Sequence, residues 1–147
     1  MRKKIHATAG AIAFLTILTF WTSTVFSELF TNPETISSIK TAILYGMAVL
    51  VPAMVIVGAS GMAMGKHRKD SLTGSKKKRM PLIAANGLLI LLPAAIYLQG
   101  KAADGTFDNW FYSIQVVELV AGAINLSLMG LNIRDGLRLS GRIKRTD

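Results

Sequence analysis

Residues 41–65 read TAILYGMAVLVPAMVIVGASGMAMG, 25 consecutive positions without a charged side chain. At about 1.5 Å of rise per residue, a helix of that length clears the roughly 30 Å hydrocarbon core of a bilayer. With no water there to satisfy the backbone, a helix is the form such a run must take. The stretch reads as a membrane span, with Pro52 as an expected kink. Working outward, Ile5–Ser27 and Met80–Gly100 are equally free of Asp, Glu, Lys and Arg, and Asn109–Ile133 is broken only by Glu118. The pattern predicts an all-α, integral membrane four-helix bundle in one domain, residues 1–147, with spans at about 6–28, 40–65, 81–100 and 110–133.

The charges fix an orientation. Of the 17 Lys and Arg residues, 15 fall in the N-terminal Arg2–Lys4, the central loop Lys66–Arg79 and the segment after Ile133. The other two connections hold only Lys40 and Lys101, against Glu28, Glu34, Asp104 and Asp108. By the positive-inside rule, both termini and the central loop are expected on the cytoplasmic side of a bacterial inner membrane. A net charge of +9 would suggest nucleic-acid binding in a soluble chain, but these charges cluster at span ends, so no nucleic-acid partner is expected. The first apolar run exceeds a signal-peptide core and leads into Glu28–Phe30 without a small-residue cleavage site, so it is expected to stay as a span. With no cysteine, the chain has no disulfide, thiolate metal site, iron–sulfur cluster or covalently attached haem.

Thr31–Lys40, with Asn32-Pro33 and a Ser/Thr cluster, is expected as a turn into the second span. Lys66–Arg79 reads as a solvated basic loop near anionic headgroups, and Pro81 as the first turn of the third span. Trp110, Phe111 and Tyr112 read as an interfacial aromatic belt, and residues 134–147 as a basic cytoplasmic tail, either a short surface helix or a disordered end. Gly61 and Gly65 have the spacing that lets two helix backbones approach closely, and they favour a homodimer or close contact with a flat cofactor.

Polar residues at membrane depth turn away from lipid. In the fourth span Glu118, Ala121 or Gly122, Asn125, Met129 and Asn132 recur at three or four residues and share one face. Glu118 is either a proton relay or ligand contact, or a carboxyl hydrogen-bonded to Tyr, Thr or Asn of another helix. Asn86 and Asn125 read first as interhelical hydrogen bonds. The two histidines carry a further expectation. His6 opens the first span and His67 closes the second, so a chain that folds back brings both imidazoles to the cytoplasmic interface. Two neutral imidazoles on neighbouring helices can be the axial ligands of a haem iron. Gly10, Gly61 and Gly65 would offer small-residue faces, and Lys3, Lys4, Arg68 and Arg79 lie where propionates would emerge. The alternative is that His6 and His67 are ordinary interfacial residues. Mixed ligation through Met62, Met64 or Met129 is a variant. Zinc would need ligands that neither His has nearby in the sequence.

On four spans with His6 and His67 as the candidate ligands, the chain resembles the small bacterial four-helix membrane cytochromes of b type. That resemblance implies non-covalent haem b, electron transfer, and quinone or another membrane redox partner. With two histidines rather than the four of the b561 type, it implies at most one bis-histidine haem per protomer. Two other functional classes fit the residues: a small transporter or channel subunit with Glu118, Asn86 and Asn125 as a polar path, and a structural or assembly factor with a basic cytoplasmic face.

Overall fold

The computed structural model describes residues 1–65 and 71–143, apart from the side chain of Arg2. Among these residues there is helix and no strand. In chain order they form α1 (Arg2–Phe30), α2 (Pro33–Gly65), α3 (Ser71–Asn86), a π-helical segment (Gly87–Leu91), α4 (Leu92–Ala103) and α5 (Asn109–Leu139). The stretch from α3 through α4 runs on as one rod, Ser71–Ala103, so four helices are long and apolar enough to cross a membrane.

The helices begin and end outside the expected bounds, for local reasons. The α1–α2 connection is only Thr31-Asn32. Asn32 caps α2 by accepting from Thr35 N–H at 2.9 Å, and Pro33 starts the helix with its φ already fixed. The Ser/Thr cluster that suggests a turn is helical instead. Ser38 and Thr41 donate their hydroxyls to the Glu34 and Ser37 carbonyls one turn back. The basic segment 71–79, expected as loop, is the first part of α3, and Pro81 is therefore inside the helix rather than in its first turn. Lys and Arg are good helix formers, and the Lys77 stem lies where a side chain on Gly65 would otherwise be.

At the far end of α4 the chain reverses through Gly105, whose φ of 65° lies in the left-handed region. Gly105 N–H reaches Ala102 O and Thr106 N–H reaches Lys101 O, the paired bonds of a glycine-terminated helix. Asp108 then caps α5 by accepting from Phe111 N–H at 2.9 Å. A hydrogen bond from Lys101, with help from that N–H, holds the Asp108 carboxyl below the usual carboxylate range. Gly141 closes α5 in the way Gly105 closes α4, so the segment after Ile133 is the last two turns of a long helix before it becomes a tail.

The four rods form a ring. α1 packs on α2 and α5, and the α3–α4 rod fills the gap between α2 and α5. Across the diagonals, α1 with the α3–α4 rod and α2 with α5, the described backbones make no contact. Two apolar layers fill the ring. Ile36, Leu98, Ala102 and Phe111 form one near the α1–α2 and α4–α5 turns. Ala13, Ile17, Ala53, Ile83 and Met129 form the other, toward the end that holds the N-terminus.

Candidate functional site

The inward face of α5 carries Gln115, Ala121, Gly122, Asn125, Met129 and Asp135, all buried, and this is the face that the three-and-four spacing marks. Its polar members sit at three levels.

Between the two apolar layers lies an ion pair. Lys40 Nζ of α2 donates to Glu118 Oε2 of α5 at 2.8 Å, with the lysine side chain 1% and the glutamate 12% exposed. Because α2 and α5 stand on a diagonal, the pair spans the centre of the ring. Gln115 Nε2 donates to the same carboxylate oxygen at 2.9 Å. Glu28 of α1 lies within electrostatic reach of both Lys40 and Glu118. Three helices thus contribute two carboxylates, one ammonium and one amide. Two acceptors, Glu28 Oε1 and Gln115 Oε1, are buried and have no hydrogen-bond donor among the described residues. Trp21 closes the level from below. Its indole N–H reaches Leu119 O at 2.9 Å, and its ring occupies the space that a side chain on Gly122 would take. A cleft of about 370 Å³ lined by Thr22, Ser23, Phe26 and Ile39 opens beside it on the α1–α2 side.

The second level is amide. Asn86 Nδ2 reaches Ala121 O at 2.8 Å and Asn125 Oδ1 at 3.0 Å, and Asn125 Nδ2 reaches Ile83 O at 3.5 Å. This clasp ties α3 to α5 immediately before the π-helical segment. Such single-turn distortions recur at functional sites and permit helix bending. The apolar layer around Ile83 and Met129 follows, so the amides do not continue to the end of the bundle. Beyond it Arg79 donates to Asp135 Oδ2 at 2.6 Å and to Asn132 Oδ1 at 3.4 Å, and Arg134 reaches the other Asp135 oxygen at 3.5 Å.

The residues expected to hold a haem are distributed differently. His67 and Arg68 lie outside the described residues. His6 Nδ1 is 2.9 Å from Ser60 Oγ, which places the start of α1 beside the end of α2, as folding back requires. The two helices touch there. A methyl on Gly61 would stand 3.3 Å from the His6 ring, and one on Gly10 would stand 3.9 Å from Val57. A haem between α1 and α2 would have to part them at this point. Arg79, expected at a propionate, is engaged by Asp135, while Lys3 and Lys4 are exposed. Met62 faces outward and Met129 is in the core. Gly65 packs under Lys77 and Thr73, and Gly61 lies against His6 and Met80. Among the described residues, no three His, Asp or Glu side chains are grouped to hold a metal ion.

Lys40, Glu28 and Gln115 join this candidate site although the sequence places the first two among the charges of an outer connection. A signal existed. Ile36, Lys40 and Ile43 recur at four and three residues, which puts the lysine on the buried stripe of a helix that starts at Pro33. Glu118 is bonded by an ammonium from α2 and an amide of its own helix, in place of the Tyr, Thr or Asn expected from another helix. No protein-family model, curated protein or solved structure matches this chain.

Proposed function

We propose that this chain is a small multi-pass transporter of the inner membrane, with the Lys40–Glu118 level as an occluded ion-exchange site. One observation carries the reading. A lysine and a glutamate are paired across the bundle between two apolar layers, with the Gln115 amide on the same carboxylate and its Oε1 buried without a donor among the described residues. Stability alone is a poor reason for such a pair. Desolvating two ions costs several kcal/mol each, and well-packed apolar residues in their place are often neutral or stabilising by about 1–4 kcal/mol. Ionisable groups inside a membrane bundle mark ion or proton pathways, and an ion site closed toward both ends belongs to a carrier rather than an open pore. The Asn86–Asn125 clasp and the π-helical segment lie next along the axis, where the α3–α4 rod can bend. By charge, the end with the N-terminus faces the cytoplasm.

The test is flux into proteoliposomes under an imposed ion gradient, followed with proton- and sodium-sensitive dyes. The wild-type chain is expected to conduct above empty vesicles, and Glu118→Gln to bring flux to the empty-vesicle level with its helical content kept. Undiminished flux in Glu118→Gln overturns the reading.

Electron transfer has one observation in its favour: His6 of α1 touches α2 at Ser60, close to the end after which His67 follows. It requires α1 and α2 to separate. An absorbance spectrum of the purified protein from haem-supplemented cells, oxidised and then dithionite-reduced, distinguishes the readings. No Soret band is expected. A stoichiometric one that disappears in His6→Ala would replace the transporter reading with the cytochrome one.

A further inference from the structure

Asp135 holds two guanidiniums, one on each oxygen, and they come from two helices. Arg79 of α3 gives Nη1 to Oδ2 at 2.6 Å, and Arg134 of α5 reaches Oδ1 at 3.5 Å from both Nε and Nη2. Two cations against one anion leave this group with a surplus of one positive charge. At the other end of the bundle Lys101 and Asp108 pair one to one and cancel. The guanidiniums also have donors to spare, since each carries five N–H groups. Among the described residues, Nε and Nη2 of Arg79 and Nη1 of Arg134 take no part in these contacts. The carboxylate is buried, but Arg134 is 49% exposed, so the group can meet a ligand from outside the ring.

Depth says what that ligand is. Asp108 and Asp135 are separated by 27 positions along α5, about 40 Å of helix. A bilayer measures about 40–45 Å with its headgroup regions included. With the Lys101–Asp108 pair in the outer headgroup layer, Asp135 and its two arginines stand in the inner one. Toward the hydrocarbon the same two helices carry exposed apolar side chains, Leu82 and Ile124. We propose that the α3–α5 seam holds the headgroup of one anionic phospholipid, its phosphodiester bridged by Arg79 and Arg134 while Asp135 keeps both guanidiniums in place. The charges match: a phosphatidylglycerol headgroup carries one negative charge, whereas the choline of phosphatidylcholine cancels its own phosphate. The planar fork of arginine suits phosphate oxygens better than a lysine ammonium does. Exposed Lys3 and Lys4 at the same end attract anionic lipid as a class but offer it no such geometry. This site stands apart from the Lys40–Glu118 level and does not depend on the transport reading.

Lipid binding to the full chain in detergent micelles tests this, read by native mass spectrometry and by the thermal unfolding midpoint. The probes are dioctanoyl phosphatidylglycerol, dioctanoyl phosphatidylcholine and inorganic phosphate. One phosphatidylglycerol per chain is expected to stay bound and to raise the midpoint, with an affinity about tenfold above that of phosphatidylcholine. Arg134→Gln is expected to keep its helical content, because the side chain is half exposed, and to weaken phosphatidylglycerol binding by about tenfold, as loss of a hydrogen bond to a charged group does. Lys3→Gln/Lys4→Gln removes two charges from the same end and is expected to leave that affinity unchanged. Equal binding by Arg134→Gln and the wild type, or an equal loss in Lys3→Gln/Lys4→Gln, overturns the site and leaves only diffuse attraction. Phosphatidylcholine bound as tightly as phosphatidylglycerol overturns the charge match. Inorganic phosphate that displaces the lipid mole for mole overturns the lipid as occupant.

Discussion

Lys40→Met is expected to destabilise the folded bundle by about 3–5 kcal/mol, because it leaves Glu118 in the centre of the ring without its cation. Gln115 still donates to that carboxylate, but one neutral amide does not replace an ammonium. The double variant Lys40→Met/Glu118→Leu is expected to recover most of the loss. It removes both charges and fills the diagonal with apolar side chains continuous with the layers above and below. Equilibrium unfolding in detergent micelles, read by circular dichroism, gives both numbers. The double variant is also expected to be inactive in the flux assay, which separates stability from transport within one protein. A single variant as stable as the wild type would show that Lys40 is not held as a buried ion, and the site would lose its basis.

The parts of this arrangement that sequence reveals are those governed by local spacing. The face of α5 is legible because three-and-four recurrence is a property of one helix, and Glu118, Asn125 and Met129 follow it. The number of long apolar helices is legible because length and lack of charge are summed over each run. The meeting of His6 with the end of α2 follows from chain reversal alone. Lys40 was not legible in the same way. Its partner is 78 positions away, on the helix diagonally opposite, and nothing local to α2 gives the order of helices around the ring. A lysine among Ser and Thr before an apolar run looks interfacial until the helix start is moved back to Pro33. Arg79 is hidden from the sequence for a similar reason. As one of several bases in a loop it would face water, but as part of α3 it is turned onto Asp135. The π-helical segment has no evident sequence signal beyond Gly87, where Asn125 Nδ2 comes within 3.8 Å of an absent Cβ.

The Arg79–Asp135 pair supplies the second large expected effect, and it differs from the first in its asymmetry. Asp135 is 2% exposed and Arg79 is 21% exposed, so the two partners have unequal alternatives once separated. Arg79→Met removes the shortest ion pair of a buried carboxylate and leaves Arg134 at 3.5 Å, and a cost of about 3 kcal/mol is expected, the low end for a broken buried pair. In Asp135→Leu the arginine can extend its guanidinium to water along its own apolar stem, so the cost is expected nearer 1 kcal/mol. The more exposed partner is thus the more damaging one to remove, which a bare count of ion pairs would not suggest. Asp135 and Glu118 are separated on α5 by 17 residues, about 25 Å along the axis, with the Ile83–Met129 layer between them. Losses from Arg79→Met and Lys40→Met are therefore expected to add to within about 0.5 kcal/mol in the double variant. Unfolding titrations of the two single variants and the double variant measure this. A large coupling energy would mean that the apolar layer transmits the state of one pair to the other, and the two ends of the ring would have to be treated as one switch rather than as a brace and a separate exchange site.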